Sequence, residues 1–153
     1  MTRTRLLTVV MAALAALIAG SAAEAACTIT TTAVNFGTYD VFAASPDDAT
    51  GQVTYRCTAP RPPLVQIHLD KGGAPTFSPR QMRQGSEILN FNLYLDSTRS
   101  TIWGDGTGGT QAYTQANPPA NSNINVTVYG RIPASQDVSA GSYTATVTAT
   151  IFF

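Results

Sequence analysis

The stretch "GSYTATVTATIFF", residues 141–153, decides how the rest of the chain is read. From Tyr143 the odd positions are Tyr143, Ala145, Val147, Ala149, Ile151 and Phe153, and the even ones from Thr144 to Thr150 are all Thr. One apolar face and one hydroxyl face at period two predict a half-buried β-strand. No further strand follows it in the sequence. An apolar-faced edge strand is an aggregation template unless something covers it. Three arrangements meet that need. The first strand closes the gap, an oligomer buries the edge, or a strand from another chain completes the fold by β-augmentation.

Upstream, the same alternation recurs between turn-rich segments. It predicts strands at 27–36, 52–58, 64–69, 88–95 and 124–129. Val53, Tyr55 and Cys57 share one face, as do Val65, Ile67 and Leu69, then Leu89, Phe91, Leu93 and Leu95, then Ile124, Val126 and Val128. Helix signals are nearly absent after residue 25. The expectation is an all-β, immunoglobulin-like sandwich of six strands that lacks the seventh. Tyr143, after Ala140 and Gly141, stands where sandwich folds place a tyrosine corner, although a plain core aromatic reads equally well.

The first residues predict export. Arg3 and Arg5 precede an apolar run at 6–18, and Ala23-Glu24-Ala25 sets small residues before a cut at Ala26. That layout marks residues 1–25 as a signal peptide. The apolar run is 13 residues, short for a membrane span. Residues 26–153 then form one domain. They carry seven basic and eight acidic side chains, a net charge near −1. Nothing in them resembles a basic stripe for nucleic acid or a basic amphipathic helix for a membrane. Cys27 and Cys57 are expected to form one disulfide in an oxidising compartment. Closing a loop of that size contributes about 3–4 kcal/mol on the chain-entropy account.

Seven segments carry a family resemblance: "ACTI" (26–29), "VNFGTYDVF" (34–42), "VTYRC" (53–57), "FSPRQM" (77–82), "LNFNLYLD" (89–96), "IWGDGTGG" (102–109) and "VYGRIPASQDVSAGSYTATVTATI" (128–151). Taken in order, they resemble the spore coat protein U domain family. That family is similar to the pilin subunits of archaic, Csu-type chaperone–usher pili. The resemblance implies a six-stranded, incomplete immunoglobulin-like domain. A periplasmic chaperone would hold it, an outer-membrane usher would receive it, and the donor strand of a neighbouring pilus subunit would finish it at the cell surface. The acceptor groove would be lined by Tyr143, Ala145, Val147, Ala149, Ile151 and Phe153.

In related pilins an extension before the first Cys acts as donor. Here the expected cut leaves only Ala26 before Cys27. The expectation is therefore an acceptor-only subunit at the fibre tip, with a role in surface adhesion or biofilm formation. The alternative is a self-contained secreted β-sandwich that binds carbohydrate or a surface ligand.

Chemistry-bearing residues are sparse, and no enzyme, cofactor, metal site or small-molecule substrate is expected. His68 is the only histidine and sits opposite the apolar face of its strand, so no Ser/His/Asp set can be assembled. Asp96 and Asp105 flank Trp103 on a turn-rich loop, where carboxylates ordinarily cap turns. "GDGTGG" lacks the Gly-Lys-Ser/Thr of a phosphate loop. Trp103 and Tyr113 are candidate aromatic contacts for a sugar or an abiotic surface, against the reading that Trp103 covers the end of the core. Arg56 and Arg131 are expected as surface charges.

Overall fold

A computed structural model describes residues 24–153. The expected signal peptide lies outside them up to residue 23. Among the described residues eight strands form: β1 (Cys27–Thr32), β2 (Asp47–Cys57), β3 (Leu64–Leu69), β4 (Arg80–Gln84), β5 (Glu87–Tyr94), β6 (Tyr113–Ala116), β7 (Asn123–Ile132) and β8 (Ala149–Phe152). They make a five-stranded sheet in the order β1-β2-β7-β5-β4 and a three-stranded sheet in the order β6-β3-β8. Every pairing between named strands is antiparallel.

The all-β sandwich class is as expected, but the count of six strands is corrected to eight. The extra strands are β4 ("RQMRQ") and β6 ("YTQA"), whose compositions carry almost no apolar alternation. Each forms because a better strand lies beside it: β4 pairs along β5, and β6 pairs along β3. Their ladder comes from backbone groups, which every sequence supplies.

Alternation sets the core. Val53, Tyr55, Val65, Ile67, Leu69, Leu89, Phe91, Leu93, Val126 and Val128 are all buried between the sheets. Cys27 and Cys57 face each other across the β1–β2 ladder and are disulfide-bonded. β2 is longer than its apolar run, because Asp47 to Gly51 pair with the end of β7. There Asp48 accepts two hydrogen bonds from Arg131, at 2.7 and 2.8 Å. That pairing lowers the Asp48 carboxyl below its ordinary pKa and raises the Arg131 guanidinium. Arg131 is thus a paired charge.

The first strand departs from expectation at residue 33. Its ladder with β2 ends at Thr32, and the next residues fold over the core. Val34 and Phe36 settle where Gly51 and Gly130 leave room. A Cβ on Gly130 would stand 2.6 Å from Val34 Cγ1 and 2.7 Å from Phe36 Cζ. Phe36 then meets Phe91 edge-to-face at 6.3 Å. Gly130→Ala should therefore cost about 1–3 kcal/mol by overpacking. Urea unfolding of the oxidised chain checks this, and a loss near zero would mean the segment moves aside freely.

The last strand is also different. The half-buried/exposed alternation runs from Tyr143 to Thr150 as predicted, but the regular ladder covers only Ala149–Phe152, against β3. Earlier, Thr144 exchanges hydrogen bonds with Arg83 of β4, on the other sheet. The chain crosses from one sheet to the other in between. The reason lies in β3, which turns away at Asp70. The Asp70 carboxylate accepts the N–H of Gly72 and of Thr148, both at 2.9 Å, and so ends the ladder. Tyr143 Oη donates to the Ser139 carbonyl at 3.0 Å, the back-bond of a tyrosine corner.

Candidate strand-acceptor cleft

The two departures just described create the main cleft. β1 is an edge of the five-stranded sheet and β8 an edge of the three-stranded sheet. Between them opens a cleft of about 400 Å³. One wall is Val34 and Phe36 with the end of β1. The other is Ala145, Val147 and Ala149. Its floor is core: Val53, Leu69, Met82, Phe91, Leu93 and Val128. Among the described residues, no charged side chain lines it.

The backbone of the second wall is available. Among the described residues, no backbone hydrogen bond engages Ala145, Thr146 or Val147. Thr148 bonds Asp70 through its carbonyl, so the alternation of an antiparallel ladder gives β3 the even residues. The N–H and C=O of Ala145, Val147, Ala149 and Ile151 then point to the open edge. Their side chains sit half-buried because the space beneath them is only part filled. An apolar floor with an unpaired edge beside it fits an extended strand: backbone to the edge, alternate side chains into the floor.

Of the six residues expected in the groove, Ala145, Val147 and Ala149 line this cleft. Tyr143 is engaged in its corner instead. Ile151 packs against the core beside β3, and Phe153 is 54% exposed at the end of the chain. The opposite wall, Val34 and Phe36, escaped the sequence reading. Its signal is the alternating "AVNF" at 33–36, which continues the pattern of the first strand.

Trp103 is corrected. It is fully buried, and its indole Nε1 donates to the Ile67 carbonyl at 2.8 Å, so it cannot be a surface contact. Tyr113 is half-buried against it, with ring centroids 6.1 Å apart. The most exposed aromatic is Phe42, at 92%, on the β1–β2 loop. His68 lies on the outer face, its ring 4.6 Å from that of Phe152. Asp96 and Asp105 cap their turns. Asp96 accepts the N–H of Ser100 and Thr101 and the Thr98 hydroxyl, and Asp105 accepts the N–H and hydroxyl of Thr107. These bonds hold both carboxyls below the ordinary range. Arg56 is exposed on β2.

The residue most clearly missed is Arg80. It is fully buried on β4. Its Nε donates to the Asp70 carbonyl at 2.9 Å, one terminal nitrogen to Asn92 Oδ1 at 2.8 Å, and the other to the Trp103 carbonyl at 2.6 Å. Phe77 lies under the guanidinium at 5.3 Å. Burial pulls its pKa down to about 10, so it remains charged at neutral pH. One side chain thereby ties the end of β3, strand β5 and the Trp103 loop together. An Arg in a polar pentapeptide gave no sign of this.

These features define an immunoglobulin-like sandwich with an unfilled place at one pair of sheet edges. The spore coat protein U domain family matches residues 13–150, and the chain belongs to that family. Protein U of Myxococcus xanthus is 32% identical over 131 residues, which cover 78% of this chain and 71% of that protein. The fold is similar to a chain of the CsuC–CsuE chaperone–tip adhesion subunit pre-assembly complex from archaic chaperone–usher Csu pili of Acinetobacter baumannii. The TM-score is 0.60 at 20% identity, over 85% of this chain and 40% of that one. This chain therefore spans less than half of that solved chain.

Proposed function

We propose that the protein is an exported structural subunit of a chaperone–usher pilus or fimbria, assembled by donor-strand complementation. The observation that carries this reading is the apolar cleft between the open edges of β1 and β8, with unpaired backbone along Ala145 to Val147. Before assembly a periplasmic chaperone lends a strand to the cleft. At an outer-membrane usher, a neighbouring subunit replaces that strand with its own. Each large aliphatic side chain inserted contributes about 1.5–3 kcal/mol by burial, which makes a three- or four-residue insertion tight. Family membership and the fold shared with a chain of a chaperone–subunit complex support this. Surface adhesion and placement at a fibre tip belong to the same proposal.

The test is to express the protein in its native periplasm with a tag in an internal loop, then measure the mass of the purified species. Recovery as an equimolar complex with a protein of chaperone size is the expected result. A stable, folded monomer would overturn the reading and favour a self-contained secreted binding module.

A further inference from the structure

A second cleft, of about 390 Å³, shares no lining residue with the first. It arises because β5 pairs with β7 only as far as Tyr94 opposite Tyr129. Beyond that point β7 is paired to β2 alone. Across the gap runs the segment that enters β6, itself the outer strand of its sheet. The walls carry Tyr113 and Tyr129, with Gln111, Thr114, Asn125 and Thr127 between them, and among the described residues no charged side chain lines the cleft.

Two properties make this more than a surface dip. The aromatic rings are braced from behind. Tyr113 packs against buried Tyr55 and buried Trp103, each at 6.1 Å between centroids. Tyr129 lies against the Arg99 guanidinium, 5.9 Å from the ring centre, and Arg99 Nε is held by the Gly130 carbonyl at 3.2 Å. Most of the polar groups, by contrast, are uncommitted. Among the described residues, no side-chain hydrogen bond engages Gln111, Thr114, Thr127 or Tyr129, whereas Asn125 Oδ1 accepts from the Thr54 hydroxyl at 2.9 Å and the Tyr113 hydroxyl donates to Gln115 Oε1 at 3.4 Å. Rigid amphipathic rings beside the uncommitted Gln111 amide and the Thr114 and Thr127 hydroxyls match a ligand with flat C–H faces and hydroxyl edges.

We infer that this cleft binds a neutral saccharide chain. Absence of charge on its walls disfavours an acidic or basic ligand. An added peptide strand would need a row of apolar pockets, and here only Leu95, Ala112 and Val126 are apolar. The inference does not depend on the strand-acceptor reading, because the two clefts are separate.

The test is titration of the purified chain, in whatever complex it is recovered, with neutral gluco-, manno- and N-acetylglucosamine oligosaccharides. Binding is read by amide NMR shifts and by the fluorescence of Trp103, the only Trp, which backs Tyr113. Saturable shifts confined to Gln111–Thr114 and Asn125–Tyr129 are expected. Tyr129→Ala and Gln111→Ala should each weaken binding at least about tenfold. Tyr113→Ala loosens the core, so those two milder variants carry the test. The proposal is overturned if no oligosaccharide shifts these residues at millimolar concentration. It is equally overturned if both variants bind like the parent, or if an extended Thr/Val peptide shifts the site and sugars do not.

Discussion

If the cleft takes a chaperone strand as proposed, Val147→Asp should abolish stable capture of the chain. Val147 sits half-buried in the cleft wall, its side chain toward an apolar floor and its backbone toward the open edge. A strand entering the cleft would strip water from the new carboxylate, and no cationic side chain lines the site to compensate. Burying an unpaired carboxylate costs about 3 kcal/mol or more, so the affinity should fall by over a hundredfold, on the order of 10²–10³. Before the strand enters, that carboxylate still reaches solvent, so the isolated domain suffers less. Thr150→Asp is the control, because Thr150 is exposed on the opposite face of the same strand. It should leave capture within about threefold. Pull-down of the periplasmic complex measures both. If the Val147→Asp chain is still recovered in equal amount with its chaperone, the acceptor cleft lies elsewhere.

Arg80→Met should be the most damaging change within the folded domain. Met fills the volume but leaves the Trp103 carbonyl buried without its donor, removes the bond to the part-buried Asp70 carbonyl, and leaves Asn92 Oδ1 with the Leu93 N–H alone. A buried acceptor left without a donor costs about 1–3 kcal/mol, and with the two further bonds lost a total of about 2–4 kcal/mol is expected. That is a large share of the stability of a small domain. Arg80→Lys keeps the charge but offers one compact ammonium in place of a planar fork, and should recover less than half of the loss. Trp103 reports directly, because its carbonyl is one of the three acceptors. Urea unfolding followed by Trp103 fluorescence would show the loss as a lower midpoint. A shift worth under about 1 kcal/mol would mean that water takes over the acceptors and the staple is dispensable.

What was legible in the sequence follows what is local. β3, β5, β7 and the later half of β2 announced themselves because alternate side chains on a pleated strand face opposite ways, and their partners bury one face. The edges were less legible. β4 and β6 are strands only because β5 and β3 offer them a ladder. Asp47 to Gly51 are strand only because β7 continues past the apolar run. Trp103 was ambiguous between surface and core. The structure seals it with a single bond to Ile67, a residue 36 positions away.

The cleft shows the same division. The apolar face of Ala145, Val147 and Ala149 was written in the chain, and so was the disulfide pair Cys27 and Cys57. Whether that face would be covered was not. Coverage depends on β1 leaving its sheet at residue 33, on Gly51 and Gly130 making room for Val34 and Phe36, and on Asp70 ending β3 where the last strand passes. Each is an encounter between segments far apart along the chain. A period of two is a property of one strand's backbone and can be read from that strand alone. An open edge is a property of neighbours that are missing, and only the assembled sheets show which neighbours those are.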